Sequence, residues 1–286
     1  RPTSRRRPRP RPPDRPFVAD VLTNPRSDRV RSVRSLAQRP VRQRTGRFVV
    51  EGPQGVREAV RCAADRVVDV YLTDQAMERY AADIAAPARA AGLWVHQVTD
   101  EVLAVMADSE QPQGVVAVVE ALAPSLADVL AGSPGLLVLL THVRDPGNAG
   151  TVIRAADAVG AAAVLVSEAS VDVTSPKVVR STAGSLFHLP IVTGLPVEST
   201  LDELRAHGIR TLAADGGGTT LLPDADLSTP HCWVMGNEAW GLPEQVRAHC
   251  DDIVRVPIVG KAESLNLAMA ATVCLYASAG ALTFGT

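Results

Sequence analysis

The stretch that most restricts how this chain can fold is 254–279: a β-branched run ending at Pro257, a turn, then an apolar run with scarcely a polar atom. Val254, Val256 and Ile258 alternate as residues of a strand do, which predicts β structure over 253–258. The Ala-rich residues beyond favour helix, and either Ser264 or Asn266 stands where a side chain can cap it. A helix over 265–279 has almost no polar face, so it is expected to be covered on nearly every side. Ser264 and Asn266 then sit either at the mouth of a ligand site or in a plain core-helix cap. This stretch alone leaves both open.

Two earlier stretches share its character. One is Asp145-Pro146-Gly147-Asn148-Ala149-Gly150-Thr151-Val152-Ile153-Arg154; the other is Val234-Met235-Gly236-Asn237-Glu238-Ala239-Trp240-Gly241-Leu242. Each follows an apolar strand-like run and puts Gly and Asn where the backbone must turn sharply or meet a ligand closely. Together with Ser264-Leu265-Asn266, in this order, they resemble the three signature motifs of the SpoU–TrmH family, RNA ribose 2′-O-methyltransferases of the SPOUT class.

Around those motifs the chain reads as α/β. Strands are expected near 47–52, 67–73, 94–98 and 115–120, with helices over 18–38, 56–64, 75–91 and 99–107. They form a small N-terminal α/β domain over 17–120. Residues 44–52 resemble the opening of the family's RNA substrate-binding domain, itself similar to certain ribosomal proteins. Residues 121–134, rich in Ala with Pro124, Gly132 and Pro134, read as a linker. The fully apolar run 135–140 suits a central parallel strand and opens a second α/β domain over 135–286. Further strands are expected at 162–167, 187–192, 209–214 and 232–235, and helices at 175–181 and 201–207. Asp215-Gly216-Gly217-Gly218 lacks a phosphate-loop pattern and reads as a flexible turn. The resemblance alone implies a deep C-terminal trefoil knot in this SPOUT domain.

Charge is unevenly placed. Residues 1–47 carry 15 Arg against 3 Asp, a net of +12, whereas 48–286 carry 14 Lys or Arg against 28 Asp or Glu, a net of −14. A basic N-terminal region on an acidic body suits a polyanionic partner. Residues 1–16, where Pro alternates with Arg and nothing can be buried, are expected to be a disordered basic tail of little consequence. Arg42, Arg44 and Arg47 are candidates to meet RNA phosphate, as is Arg144 beside His142 at the end of the first strand of the second domain. Aromatics make up only 3%, so base-stacking platforms are scarce. The four cysteines form no metal-ligand spacing, so no metal is expected, and the chain reads as a reduced, cytoplasmic protein without a membrane span.

The resemblance implies S-adenosylmethionine as cofactor. Gly236, Val256, Ile258 and Leu265 match the family's cofactor-binding positions, and Leu212 and Ala213 are expected to line the loop nearby. Arg154, Asn148, Glu238, Ser264 and Asn266 match its catalytic positions. Arg154 stands on a helix otherwise written in Ala, Val and Ile, where an unpaired guanidinium is costly. Its permanent charge suits it to hold phosphate or a developing alkoxide; the plain alternative is an ion pair with Glu238. The implied function is 2′-O-ribose methylation of RNA, in the first place 23S ribosomal RNA, by a homodimer. The alternatives are a tRNA 2′-O-methyltransferase, or a non-catalytic RNA-binding or ribosome-assembly protein. A nucleotide-dependent oxidoreductase is disfavoured by the absence of GxGxxG.

Overall fold

The computed structural model describes residues 21–284, so the tail expected over 1–16 lies outside the described residues. The chain divides between Glu120 and Ala121 into two compact units. The first runs α1 (Asp28–Ser35), α2 (Arg39–Thr45), β1 (Arg47–Glu51), α3 (Pro53–Cys62), β2 (Val67–Leu72), α4 (Asp74–Arg79), α5 (Ala86–Ala90), β3 (Trp94–Gln97), α6 (Asp100–Met106) and β4 (Val115–Glu120). Its sheet has the order β1-β4-β2-β3, antiparallel except between β2 and β3.

Two expected helices of this unit are broken. In place of one helix over 18–38, Leu22 bridges to Val98, and α1 starts only where the Ser27 hydroxyl accepts from the Val30 amide. Pro40, in the first turn of α2, begins a separate helix because proline lacks the amide a continuing helix needs. The Ala-rich stretch after Thr73 is interrupted by a π-helical turn over Ala81–Ala85, which seats Ile84 and Ala85 in the core.

The second unit runs α7 (Leu126–Leu130), β5 (Leu136–Leu140), α8 (Pro146–Ala158), β6 (Ala163–Ser167), α9 (Pro176–Ser181), β7 (Ile191–Leu195), α10 (Val197–Ala206), β8 (Arg210–Ala214), β9 (Thr220–Leu221), β10 (His231–Met235), α11 (Glu244–His249), β11 (Asp252–Arg255) and α12 (Leu267–Phe284). Its seven strands lie in the order β7-β6-β5-β10-β8-β11-β9, every pair parallel. A parallel sheet needs both faces covered, and β5 shows how. Leu136, Val138 and Leu140 enter the core shared with α8 and α12, while Leu137 and Leu139 enter the core shared with α7, α10 and α11.

Helix α7 occupies the stretch expected as a linker. Ser125 and Asp128 close a reciprocal capping box, and Leu126, Val129 and Leu130 pack into the second core. The strand expected over 187–192 begins only at Ile191, with Phe187 in a 3₁₀ turn before Pro190. The strand expected to reach Ile258 stops at Arg255, because Pro257 cannot donate to a ladder. Helix α12 is less covered than its composition demands. Ala271, Cys274 and Leu275 are buried, but Met269, Val273 and Tyr276 form an exposed stripe. Among the described residues no helix is long and apolar enough to cross a membrane.

Candidate functional site

Strands β5, β8 and β10 end level: Met235 pairs with Leu140 on one side and Ala214 on the other. From β5 the chain steps outward to β6 and β7, while β8 and β10 lie on the opposite side, so strand order reverses between β5 and β10. Ligands of open parallel sheets bind at such a point, beyond the carboxyl ends of the strands. A cleft of about 500 Å³ lies there, between the loops after β8, β10 and β11 and the first turn of α12. Val254, Val256, Ile258, Leu265 and Leu267 make it apolar on one side; Asp215, Glu238, Glu263, Ser264 and Asn266 supply polar groups.

The loop after β10 folds back on itself. The Asn237 amide donates to the Gly241 carbonyl and the Gly241 amide to the Asn237 carbonyl, each at 2.9 Å. A Cβ on Gly236 would collide with the backbone of Gly241 and Leu242, so only glycine fits there. The Asn237 side chain, buried, donates to the His142 carbonyl at 2.6 Å and fastens this loop to the one after β5. His142 sits at φ 52°, and its amide donates to the Ser167 hydroxyl at 2.8 Å.

Glu238 gathers the next set of bonds. Its carboxylate accepts from the amides of Arg144 (3.4 Å) and Asp145 (3.3 Å) and from Asn148 Nδ2 (3.3 Å). Asp145 caps α8, accepting from the Asn148 amide at 2.7 Å. Asn148 Oδ1 then accepts from Asn266 Nδ2 at 3.0 Å. Asn266 Oδ1 accepts from the Ala268 amide at 2.9 Å, which makes Asn266, rather than Ser264, the cap of α12. Three stretches far apart in sequence thus meet through Asn148, Glu238 and Asn266. Just outside, the Arg144 guanidinium lies 5.1 Å from the centroid of the Trp240 ring, whose residue is 53% exposed.

Of the residues singled out from sequence, Gly236, Glu238, Val256, Ile258, Ser264, Leu265 and Asn266 line the cleft, and Asn148 joins it by hydrogen bonds. Leu212 and Ala213 do not line it. Both are fully buried in β8, one side chain in each core, and it is the next two residues, Ala214 and Asp215, that reach the cleft. Arg154 lies outside the lining residues too. Thr151, Arg154 and Ala158 form the solvent-facing stripe of α8, so its charge is not buried, and it pairs neither with Glu238 nor with any other described residue.

Arg42 is a structural residue. Buried at 6% exposure, its guanidinium donates to the Leu36 and Ala37 carbonyls (2.9 and 2.6 Å), satisfying the end of α1 rather than a phosphate. Arg44 is exposed without a partner among the described residues, and Arg47 lies 3.5 Å from Glu120. Asp215 and Asn237 also line the cleft, although neither is among the positions that the family resemblance singles out. Asp215 opens what looked like a flexible glycine turn, and only its place after a parallel strand signals a site. It accepts from the Gly217 amide at 2.9 Å and faces Arg247 at 3.3 Å. The three cysteines of the second unit are poor nucleophiles: burial pushes Cys250 and Cys274 up to about 12 and raises Cys232 as well.

Residues 135–276 match the SpoU rRNA methylase family and residues 27–117 the MRM3-like substrate binding domain. The chain is 32% identical to a 23S rRNA (guanosine-2′-O-)-methyltransferase of Bordetella pertussis, over 80% of this chain and 96% of that protein. It is 34% identical to the 23S rRNA (uridine(2479)-2′-O)-methyltransferase of Streptomyces viridochromogenes, over 84% and 85%. The crystal structure of an AdoMet-bound rRNA methyltransferase from Sinorhizobium meliloti superimposes with a TM-score of 0.78 at 30% identity, covering 90% of this chain and 96% of that one.

Proposed function

As the chain belongs to the SpoU rRNA methylase family and is an RNA methyltransferase, we propose that it methylates a ribose 2′-hydroxyl of 23S ribosomal RNA, with S-adenosylmethionine as donor. The observation that carries this reading is the junction of Asn148, Glu238 and Asn266 on a cleft beyond the β5–β10 switch point. The two relatives named above act on 23S rRNA but on different nucleosides, so the base at the target stays open.

The cleft fits the donor. Its volume of about 500 Å³ suits a nucleoside-sized ligand. Val256, Ile258 and Leu265 can cover the faces of a purine, and the carboxylates of Asp215, Glu238 and Glu263 complement a cationic ligand. S-adenosylmethionine supplies an electrophilic methyl group on a sulfonium. What the protein must add is a positioned 2′-hydroxyl and help with its proton, since an alcohol ionises far above neutral pH. Asn148 and Asn266 each offer a donor and an acceptor to a ribose. Arg154 stabilises the developing alkoxide or holds the adjoining phosphate; as a permanent cation it cannot take the proton.

Arg154 lies outside the cleft lining of its own chain, which favours a homodimer in which each site takes Arg154 from the other copy. The exposed stripe of Met269, Val273 and Tyr276 on α12, which packs against Arg154's helix α8, offers a self-complementary apolar patch. A trefoil knot is what membership of the family implies for the stretch from β11 through 256–266 to α12, which packs against α8 and β10. Residues 17–120 are read as the RNA substrate-binding domain, with Arg44 and Arg47 toward phosphate, and a ribosomal substrate is in keeping with a cytoplasmic enzyme.

Calorimetric titration with S-adenosylmethionine should show micromolar binding and none with NAD. Mapping 2′-O-methyl sites in RNA from cells with and without the gene should reveal one site lost from 23S rRNA; an unchanged map would defeat the reading, and a loss confined to tRNA would transfer it to tRNA. Mixing an Arg154→Ala chain with a Gly236→Trp chain, each inactive alone, should restore roughly a quarter of wild-type transfer, because half of the dimers are mixed and each then holds one intact site.

A further inference from the structure

We infer that Trp240, with the Arg144 guanidinium against it, is a stacking platform for an unpaired base of the RNA substrate; this rests on the RNA methyltransferase reading above. An isolated exposed apolar side chain needs no explanation in itself. Three observations set this one apart. The first is scarcity: the chain has three tryptophans, Trp233 is fully buried on β10, Trp94 is half-buried on β3, and Trp240 is 53% exposed. Two residues further on, Leu242 turns into the core with 4% exposure, so the loop sends its leucine inward and its indole outward.

The second observation is the mounting. Trp240 sits in the loop closed by paired backbone bonds between Asn237 and Gly241, and Asn237 Oδ1 accepts from the Ala239 amide at 2.8 Å. Arg144, whose guanidinium lies 5.1 Å from the ring centroid, is held by its own amide on the Glu238 carboxylate. The backbone on both sides of the pair is therefore held, so what remains to be ordered when RNA arrives is confined to the two side chains, which lowers the entropic cost of binding.

The third is position. Ala239 and Gly241, on either side of Trp240, line the cleft, so the indole stands at its rim. A ribose brought into the cleft must leave its base, or the next one, outside it. Single-stranded RNA is recognised by stacking bases on aromatic rings and on arginine planes, and Trp240 with Arg144 presents both surfaces, with a positive charge close to the phosphate.

The test uses the whole chain, tritiated S-adenosylmethionine and an unmodified 23S rRNA transcript. Trp240→Ala should raise KM for the RNA about five- to hundredfold, the range expected of one stacked base, while donor affinity and the mass by light scattering stay those of the wild type. Trp240→Phe should recover most of the loss and Trp240→Leu little of it, since leucine replaces apolar area without a π face. Arg144→Ala should raise KM for the RNA by a smaller factor. If leucine rescues as well as phenylalanine, or if Trp240→Ala changes the mass of the particle, the residue is a packing or subunit contact and the platform is overturned. An unchanged KM for Trp240→Ala with active wild-type enzyme overturns the platform alone. A wild-type chain that binds donor yet methylates no RNA ribose overturns the parent reading first.

Discussion

Strand β10 and helix α12 meet at both ends, and the two meetings are built in opposite ways. At the start of β10, His231 Nε2 and Trp233 Nε1 both reach the Ser278 hydroxyl, at 2.7 and 2.8 Å, and all three residues have 0% exposure. His231 Nδ1 lies 2.7 Å from the Thr229 carbonyl, which can only accept, so Nδ1 carries the proton and Nε2 accepts from Ser278. At the far end Asn266 and Glu238 meet only through Asn148, over bonds of 3.0 and 3.3 Å between exposed groups. A buried network is costly to leave unsatisfied and so fixes the helix in one register. Exposed, longer bonds can be exchanged for a ligand's at little cost. The closed end holds the helix; the open end keeps its polar groups within reach of a ligand.

The largest effect should come from the closed end. Ser278→Ala strands the indole N–H and the imidazole Nε2 together, each costing about 1–3 kcal/mol, so urea unfolding should show a loss of about 2–6 kcal/mol while donor affinity of the folded protein holds. An unchanged urea midpoint would show that this end does not secure the helix. Glu238→Ala should do the reverse: methyl transfer falling about ten- to a hundredfold as three donors lose their acceptor, with stability within about 1 kcal/mol because the residue is exposed. Equal losses of activity and stability would erase the distinction between the ends. Asn266→Ala, which removes a helix cap, should cost about 1 kcal/mol of stability and weaken donor binding measurably by calorimetry.

The smallest effect is one of pH. Burial holds the His231 imidazole below its ordinary value, so the unfolded chain binds a proton there that the folded one refuses. Its contribution to stability is complete above the unfolded value of about 6.5 and declines as pH falls below it. Urea midpoints at pH 7.5 and pH 5.5 should therefore differ more for the wild type than for His231→Asn. Identical pH dependence would mean that the imidazole titrates freely in the folded protein.

The two ends also differ in how far they could be read from the sequence. Alternation and composition indicate strands and helices, and motif resemblance points to Asn148, Glu238 and Asn266, because short Gly- and Asn-rich runs after strands keep their chemistry in local sequence. What pattern cannot carry is which side of an element faces what. The residues of β8 that meet the cleft are Ala214 and the Asp215 beyond it, two positions past Leu212 and Ala213, since a strand offers its end rather than its body to a site. Arg154 looked buried among Ala, Val and Ile although it lies on the outer stripe of α8. Arg42 looked like one more basic residue in a basic segment, and only the fold brings the carbonyls of Leu36 and Ala37 to it. The Ser278 network left no trace in the sequence, because its meaning lies in three side chains that approach one another across the core.

The all-parallel order of the large sheet also sets a clock. Asn148 and Asn266 stand 118 residues apart in the chain, and β5 and β10 are joined across a separation of 94 residues at Thr141 and Met235. Contacts of such span form late, because the loop between them must close before any of them repays its entropy. The cleft is bounded by the loop after β11 and the first turn of α12, so it does not exist in a chain whose earlier strands alone have folded. A molecule in which α12 has not docked therefore lacks one wall of the cleft, so the cleft forms only together with that docking.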